Sequence, residues 1–295
     1  MKIIPYRKLW LIISLAVFVV SVPLIILFRL SPGMEFTGGS LVEIKTTDNT
    51  QISEIRSKIG DFYKSETSIQ ESGTNQFIIR NKINTDDEYK NFESNLKESI
   101  SGVSILRHES IGSSVGQDLT RKSIIGVAIA SVLIVFFIAW EFRHVPRSVS
   151  AWSFGTVAII TLFHDLAISL AIFFVVGKVY GWELDSSTVV AALTILGFST
   201  HDTIVVFDRV RENVIKNPQK TFEENANSSI NQTIARSLNT SLAAILVLVA
   251  MLVLGGSTIK PFIFLLTIGI AIGTYSSIFV ASPLLVTWYT YQNKK

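Results

Sequence analysis

The sequence predicts a polytopic α-helical membrane protein with six transmembrane helices and an extracytoplasmic α+β domain, ferredoxin-like in type, between helices 1 and 2. Of its 295 residues 48% are hydrophobic and 17% are charged, and the mean hydropathy is +0.45; this composition is typical of membrane proteins. Six stretches also reach the roughly 20 apolar residues that a spanning helix needs. A single long polar segment separates the first stretch from the other five.

The spans divide the chain into three predicted parts. The first part, 1–30, holds a cytoplasmic N-terminus and helix 1. Its apolar run from Leu9 to Phe28 is longer than the core of a signal peptide, so we interpret it as a retained anchor. The second part, 31–122, is the extracytoplasmic α+β domain. The third part, 123–295, is a five-helix membrane domain, with helices predicted at 123–141, 150–176, 186–207, 238–256 and 261–288.

Lysine and arginine near the short loops set the predicted orientation, because they accumulate on the cytoplasmic side. They lie before span one, between spans two and three, between spans four and five, and at the end of the chain: Lys2, Arg7, Lys8, Arg143, Arg147, Arg209, Arg211, Lys216, Lys220, Lys294 and Lys295. The opposite short loops contain only Lys178 and Lys260. We therefore expect a multi-pass protein of the cytoplasmic (inner) membrane with both termini in the cytoplasm.

The polar segment carries alternating patterns of strands and helices. In chain order we predict a strand at 41–45, a helix at 52–63, two strands within 67–80, a helix at 86–100 and a strand at 103–110. This β-α-β-β-α-β order is typical of a small ferredoxin-like domain. Such a fold specifies no chemistry by itself. In the later loop 208–236 we predict a cytoplasmic amphipathic helix.

Ionisable side chains interrupt three of the apolar spans. They are His164 and Asp165 in span three, His201 and Asp202 in span four, and Arg236 at the start of span five. An Asp at the centre of a spanning helix costs roughly 2.5–3.5 kcal/mol on insertion scales, and such groups usually mark ion paths. A nearby Arg lowers the pKa of an Asp, so a varying distance between Asp202 and Arg236 would let Asp202 take up and release a proton. The alternative is a static pair that only joins two helices.

Neighbours of these residues have both functional and structural interpretations. Adjacent helical residues point about 100° apart, so we expect His201 and Asp202 on different faces. Arg209 shares a face with Asp202 and is either an accessory group or a topology anchor. The two His-Asp dipeptides could indicate a metal-dependent hydrolase, but they lie within apolar spans, so we expect no metal site. The chain has no Walker A motif and no cysteine, so we expect no ATPase, thiolate chemistry or cofactor, and no enzyme.

Glycines mark two further sites. Gly269 and Gly273 form a G-x-x-x-G pattern in span six, which lets helices approach closely, although Gly273 could also be a flexible point. Gly38 and Gly39 follow the first span and form either a turn into the first strand or a hinge for the domain. Pro283 is expected to kink span six.

Four segments resemble the SecD/SecF family of protein-export accessory subunits, and specifically SecF. They are GMEFTGGSLVEI after span one, FHDLAISLAIF in span three, GFSTHDTIVVFDRVREN in span four and ARSLNTSLAAILVL in span five. The resemblance implies a heterodimer with SecD, association with the SecYEG channel and other Sec accessory subunits, and action on a translocating preprotein. It also implies use of protons through the proton-motive force, and it implies no nucleic-acid partner.

The resemblance also implies roles for individual residues. The family's intramembrane acids correspond to Asp202 and Asp165, and its span-five arginine corresponds to Arg236. The segment STHD departs from the pattern, because relatives often have a neutral polar residue where His201 stands; His201 is then either an added titratable group or, as we prefer, a local substitution without functional consequence. Two alternatives remain: a structural subunit that does not couple protons, and half of a lipid or drug exporter of the resistance-nodulation-division superfamily.

Overall fold

The computed structural model describes residues 1–47, 50–62, 67–83, 85–144 and 151–292. Its α-helices are α1 Arg7–Leu27, α2 Met34–Thr37, α3 Ile52–Phe62, α4 Asp86–Ser99, α5 Ser113–Glu141, α6 Ala151–Tyr180, α7 Ser186–Lys216, α8 Phe222–Leu254, α9 Lys260–Ser276 and α10 Ser282–Gln292. Its strands are β1 Gly39–Lys45, β2 Ser68–Gly73, β3 Gln76–Asn81 and β4 Ser104–Ile111. Within the described residues six helical segments are long and apolar enough to cross a membrane, which confirms the six predicted spans.

Several spans are longer than the apolar pattern indicates. Helix α5 begins at Ser113 rather than at 123, because the polar residues before the apolar run are also compatible with helix. Helix α8 begins at Phe222, where Thr221 and Glu224 form a capping box. The amphipathic helix predicted within 208–236 is therefore the first half of α8, and it continues into span five without a break.

Span six is interrupted near its middle. Helix α9 ends at Ser276, a π-helical segment covers Ser277–Ala281, and α10 begins at Ser282. Pro283 has no N–H to donate to the preceding turn, and the Ser282 hydroxyl donates to the Ser277 carbonyl oxygen at 3.0 Å. The irregularity predicted at Pro283 thus takes the form of a π-helical turn just before it. Such turns are frequent at functional sites.

The polar segment folds into a four-stranded antiparallel sheet with the order β2-β3-β1-β4. The β-α-β-β-α-β order predicted from the sequence is observed. Buried side chains from the sheet and from α3 and α4 form its hydrophobic core, which includes Val42, Ile44, Ile55, Ile59, Ile79, Phe92 and Leu96.

Gly38 and Gly39 connect α2 to the first strand. Both have positive φ, +78° and +139°, which side chains other than hydrogen rarely allow. A Cβ on Gly39 would lie 2.4 Å from the Asn81 carbonyl oxygen, and one on Gly38 would lie 2.7 Å from the Ser113 Cα. This close packing favours the turn interpretation over a hinge in this conformation.

The α+β unit contacts the membrane helices through two loops. The segment after α1 pairs with the segment before α7, where Gly33 N–H donates to the Leu184 carbonyl at 2.6 Å. On the sheet, Arg80 forms an ion pair with Glu183 at 3.6 Å, and the Ser257 hydroxyl lies 3.4 Å from the Ser72 hydroxyl. The sheet therefore rests on the loops that precede spans four and six.

Candidate functional site

Two acidic side chains are buried among the membrane-spanning helices. Asp165 of α6 is 0% exposed and Asp202 of α7 is 6% exposed. Each lies on the face of its helix that packs against neighbouring spans, since Ser169 and Val206, one turn further along their helices, are also buried. The bundle interior therefore contains both acids that the sequence identifies.

Asp165 is hydrogen-bonded to polar side chains of three spans. The Ser199 hydroxyl of α7 and the Ser276 hydroxyl of α9 both donate to Oδ2, each at 2.6 Å. The Nδ1 atom of His164 lies 2.9 Å from Oδ1. Hydrogen bonds of this kind to an ionised group are stronger than neutral ones. Asp165 thus links α6, α7 and α9 at one point.

Asp202 is hydrogen-bonded to Ser277, the residue that follows Ser276 in span six. The Ser277 hydroxyl donates a short hydrogen bond to Asp202 Oδ2. Ser276 and Ser277 are therefore adjacent in the chain but bind acids on two different helices. They stand at the junction between α9 and the π-helical segment, so both acids meet span six where its helical geometry changes.

The two histidines differ in environment. His164 is buried, and its Nε2 atom has no hydrogen-bond partner among the residues that the structure describes. Its ring stacks near Phe18 of α1, with 6.1 Å between ring centroids. His201 is exposed while Asp202 is buried, which confirms that the adjacent residues occupy different faces.

The predicted pairing of Asp202 with Arg236 is not formed in this conformation. Arg236 is exposed on α8, and across the described ranges no ion pair or hydrogen bond joins it to Asp202. The reason is helical phase: Thr233 and Ser237 carry the buried face of α8, and Arg236 projects away from it. Arg209 lies far along α7, where it donates to the Gln232 Oε1 atom at 2.5 Å and pairs with Glu212.

The glycines of span six face α7. A Cβ on Gly269 would lie 2.3 Å from Ile195, and one on Gly273 would lie 3.0 Å from the Ser199 Cβ. Because both positions lack a side chain, α9 approaches α7 closely, and Ser277, which follows, reaches Asp202 of α7. This geometry favours the packing interpretation of the G-x-x-x-G pattern.

The hydroxyl groups around the acids are not among the residues predicted from the sequence. Ser199, Ser276 and Ser277 bind the carboxylates, and Thr274 donates to the Ser241 hydroxyl of α8 at 2.6 Å. The available signal was a set of small polar residues inside apolar spans, especially the run TYSS at 274–277. Within the part of the chain that the structure describes, no three acidic or histidine side chains lie close enough to hold a metal ion.

Comparison with known proteins identifies the family. Residues 91–291 match the family model of the SecD/SecF protein export membrane proteins, C-terminal region. The protein translocase subunit SecF of Thermobaculum terrenum is 37% identical over 97% of this chain and 93% of its own length. SecF of Anaerolinea thermophila is 32% identical over 98% of this chain and 94% of its own.

Fused relatives match as well. The translocase subunit SecDF of Thermus thermophilus is 32% identical over 86% of this chain and 34% of its own length. The crystal structure of SecDF, a translocon-associated membrane protein from that organism, superposes with a TM-score of 0.85 at 28% identity, over 98% of this chain and 39% of that chain. The chain thus spans a little over a third of the fused protein. It belongs to the SecD/SecF family of protein export membrane proteins, as a subunit of the SecF type.

Proposed function

We propose that this Sec translocase subunit pairs with SecD and uses the proton-motive force to promote late steps of protein export across the cytoplasmic membrane. The observation that carries the proposal is the pair of buried acids, Asp165 and Asp202, which hydroxyl groups hold. No Lys or Arg pairs with either carboxylate in the described ranges. The His164 ring beside Asp165 is a cation only when it is protonated. A buried carboxylate without a permanently charged partner is costly, so its protonation responds strongly to its surroundings.

The hydroxyl partners suit a group that changes protonation. A serine hydroxyl donates to a carboxylate and accepts from a carboxylic acid, so the site accommodates both forms. One charge that crosses 100 mV releases about 2.3 kcal/mol, which shifts a two-state equilibrium more than tenfold. Arg236 remains part of the proposal, because a helix rearrangement that changes its distance to Asp202 would change the affinity of Asp202 for a proton.

We also propose partners and a topology on the basis of the family. The SecDF fusion of Thermus thermophilus supports SecD as the partner, and we extend the proposal to the SecYEG channel, other Sec accessory subunits and the emerging preprotein. The ferredoxin-like α+β domain then lies outside the cytoplasm, and both termini lie inside. The named relatives are translocase subunits, which favours export over a lipid or drug exporter and over an enzyme.

The test uses vesicles that contain this chain, SecD and SecYEG. Preprotein release is measured with and without a proton gradient for the wild type, Asp202→Asn and Asp165→Asn. The matched control is Asp118→Asn, which removes an exposed carboxylate that pairs with Lys122 at 2.7 Å. We expect the gradient to stimulate release in the wild type and the control but not in the two buried variants. Equal stimulation in all four, with equal assembly, would establish the structural-subunit alternative.

A further inference from the structure

The two serines of span six each have two acceptors within reach. Ser276 Oγ lies 2.6 Å from Asp165 Oδ2 and 3.0 Å from the Gly273 carbonyl oxygen. Ser277 Oγ lies next to Asp202 Oδ2 and 3.0 Å from the Thr274 carbonyl oxygen. A hydroxyl has a single hydrogen to donate. Each serine hydroxyl can therefore donate either to a carboxylate on another helix or to a backbone carbonyl one turn earlier in span six.

The protonation state of the acid determines which of the two acceptors receives the serine hydrogen. An ionised carboxylate only accepts, so the serine hydrogen points to it. A protonated Asp202 donates its own hydrogen to the Ser277 oxygen, and the serine hydrogen then turns to the backbone carbonyl. Protonated Asp165 has Ser199 and Ser276 at the same Oδ2 atom; when Ser276 accepts the hydrogen, its own hydrogen likewise turns to the backbone carbonyl. Hydrogen bonds from serine to a carbonyl of the preceding turn bend helices, and here they fall on the last turn of α9.

The segment that follows is suited to respond. The π-helical turn Ser277–Ala281 begins at the second serine, and the Ser277 carbonyl already accepts from the Ser282 side chain. Backbone hydrogen bonding is thus irregular directly after the two serines, and a change there does not break a regular α-helical ladder.

We infer that Ser276 and Ser277 are positioning residues that detect whether Asp165 and Asp202 are protonated and convey that state to the helical geometry of span six. The inference rests on the proposed function and adds to it the element that responds. Because the serines are adjacent, both acids act on one turn, so the two protonation equilibria are coupled through span six.

Few other charged or titratable groups lie near this site. His164 lies beside Asp165 on α6, and His201 precedes Asp202 on α7 but is exposed. On span six Tyr275 has its hydroxyl 3.2 Å from the Ser14 hydroxyl of α1. On α8 the nearest charge in the described sequence is the exposed Arg236. His164 is therefore the group that the test must separate from the serines.

Infrared difference spectroscopy of the full chain with SecD in lipid vesicles tests the inference. The carboxylic C=O bands are followed over pH and assigned with Asp165→Asn and Asp202→Asn. We expect Ser277→Ala to move the Asp202 band and Ser276→Ala to move the Asp165 band, because each protonated acid loses a hydroxyl partner; Asp165 keeps the hydroxyl of Ser199. Ser277→Thr, which keeps a hydroxyl, restores the wild-type band. Ser237→Ala is the matched control, since that buried hydroxyl has no partner among the described residues.

Coupling is measured in the same samples. In an otherwise wild-type chain, Asp202→Asn is expected to displace the pH midpoint of the Asp165 band by about one pH unit. When Ser276→Ala is also present, we expect this displacement to be lost. His164→Gln leaves the displacement in place. Gradient-driven preprotein release is expected to fall roughly tenfold in Ser277→Ala, the effect of one lost hydrogen bond to a charged group, and to recover in Ser277→Thr.

The outcomes separate the inference from the proposed function. If neither acid changes protonation over the pH range, the proposed function fails. If both acids titrate but the serine variants leave bands and coupling unchanged, the inference is overturned while the proposed function stands. A loss of release in Ser277→Ala with unmoved bands and no recovery in Ser277→Thr would also overturn it, because the serine would then serve only packing.

Discussion

The contact between Gly269 and α7 gives a prediction with a defined magnitude. Replacing Gly269 by alanine adds one methyl group at a point 2.3 Å from the Ile195 Cγ1 and Cδ1 atoms and 3.0 Å from its Cγ2 atom. Ile195 is 1% exposed, so its side chain has no open space into which it can move. We therefore expect α9 and α7 to separate or Ile195 to leave its rotamer.

Overpacking of this kind costs typically 1–3 kcal/mol. Alanine also favours helix over glycine by about 1 kcal/mol, and this gain must be subtracted. Gly126→Ala on α5 is the matched control, because a Cβ there meets nothing within 4 Å. The difference between the two variants cancels the helix preference. It should be about 1–3 kcal/mol, or roughly a fivefold to more than hundredfold change in the unfolding equilibrium.

The assay is reversible denaturant unfolding in mixed micelles, followed by circular dichroism. A double-mutant cycle with Ile195→Ala identifies the contact, because the smaller side chain makes room for the new methyl group and should recover most of the lost stability. If Gly269→Ala is no less stable than Gly126→Ala, or if the cycle shows no coupling with Ile195, the close helix approach derived from the structure is wrong.

Three further predictions concern other parts of the molecule. Asp165→Ala removes the acceptor of three polar groups and should cost roughly 1–3 kcal/mol of unfolding free energy; Asp165→Asn keeps one acceptor oxygen and should cost less, and the reverse order in denaturant titrations contradicts this. The Ser72→Cys/Ser257→Cys double variant places two thiols where hydroxyls lie 3.4 Å apart, in a chain without cysteine. If the α+β unit must leave its docked position, oxidation should stop export and reduction should restore it. Unchanged export after complete cross-linking excludes such movement. Burial raises the pKa of the Tyr89 phenol. The contribution of Tyr89 to the stability of the α+β unit should therefore be present below about pH 10 and be lost as the pH rises through the folded-state pKa. Tyr89→Phe should reduce this alkaline loss in thermal melts, and an equal loss in both proteins contradicts the prediction.

The spans and the order of elements in the α+β unit could be predicted from the sequence, because apolar length and periodicity are local properties. Most of the helix ends could not. Ser113, where α5 begins, lies in a polar stretch that is compatible with both helix and loop. Helix α8 begins at Phe222, and its capping box could be read from Thr221 and Glu224. The continuity from that polar turn into the membrane depends on packing that no local pattern reports.

The acids of the site could be predicted, but their partners could not. An aspartate in an apolar span is conspicuous because it is costly, whereas serine is common in spanning helices and costs little. Which serine reaches which acid depends on the rotation of α9 relative to α6 and α7. Charge complementarity suggested Arg236 as the partner of Asp202, but helical phase places the two side chains on different surfaces.

Helix α7 connects the acid site to the α+β unit. Its N-terminal turn is held from outside the membrane bundle, where the Ser186 N–H donates to the Glu35 Oε2 atom at 2.5 Å and Leu184 pairs with the segment after α1. A carboxylate at a helix N-terminus interacts favourably with the helix dipole, so this contact stabilises the packing of α2, which contains Glu35, against the start of α7. Asp202 lies sixteen residues further along the same helix, about 24 Å at 1.5 Å per residue. If protonation of Asp202 shifts α7, as the proposed function requires, one continuous helix and the segment that holds Glu35 would carry that shift to the α+β unit.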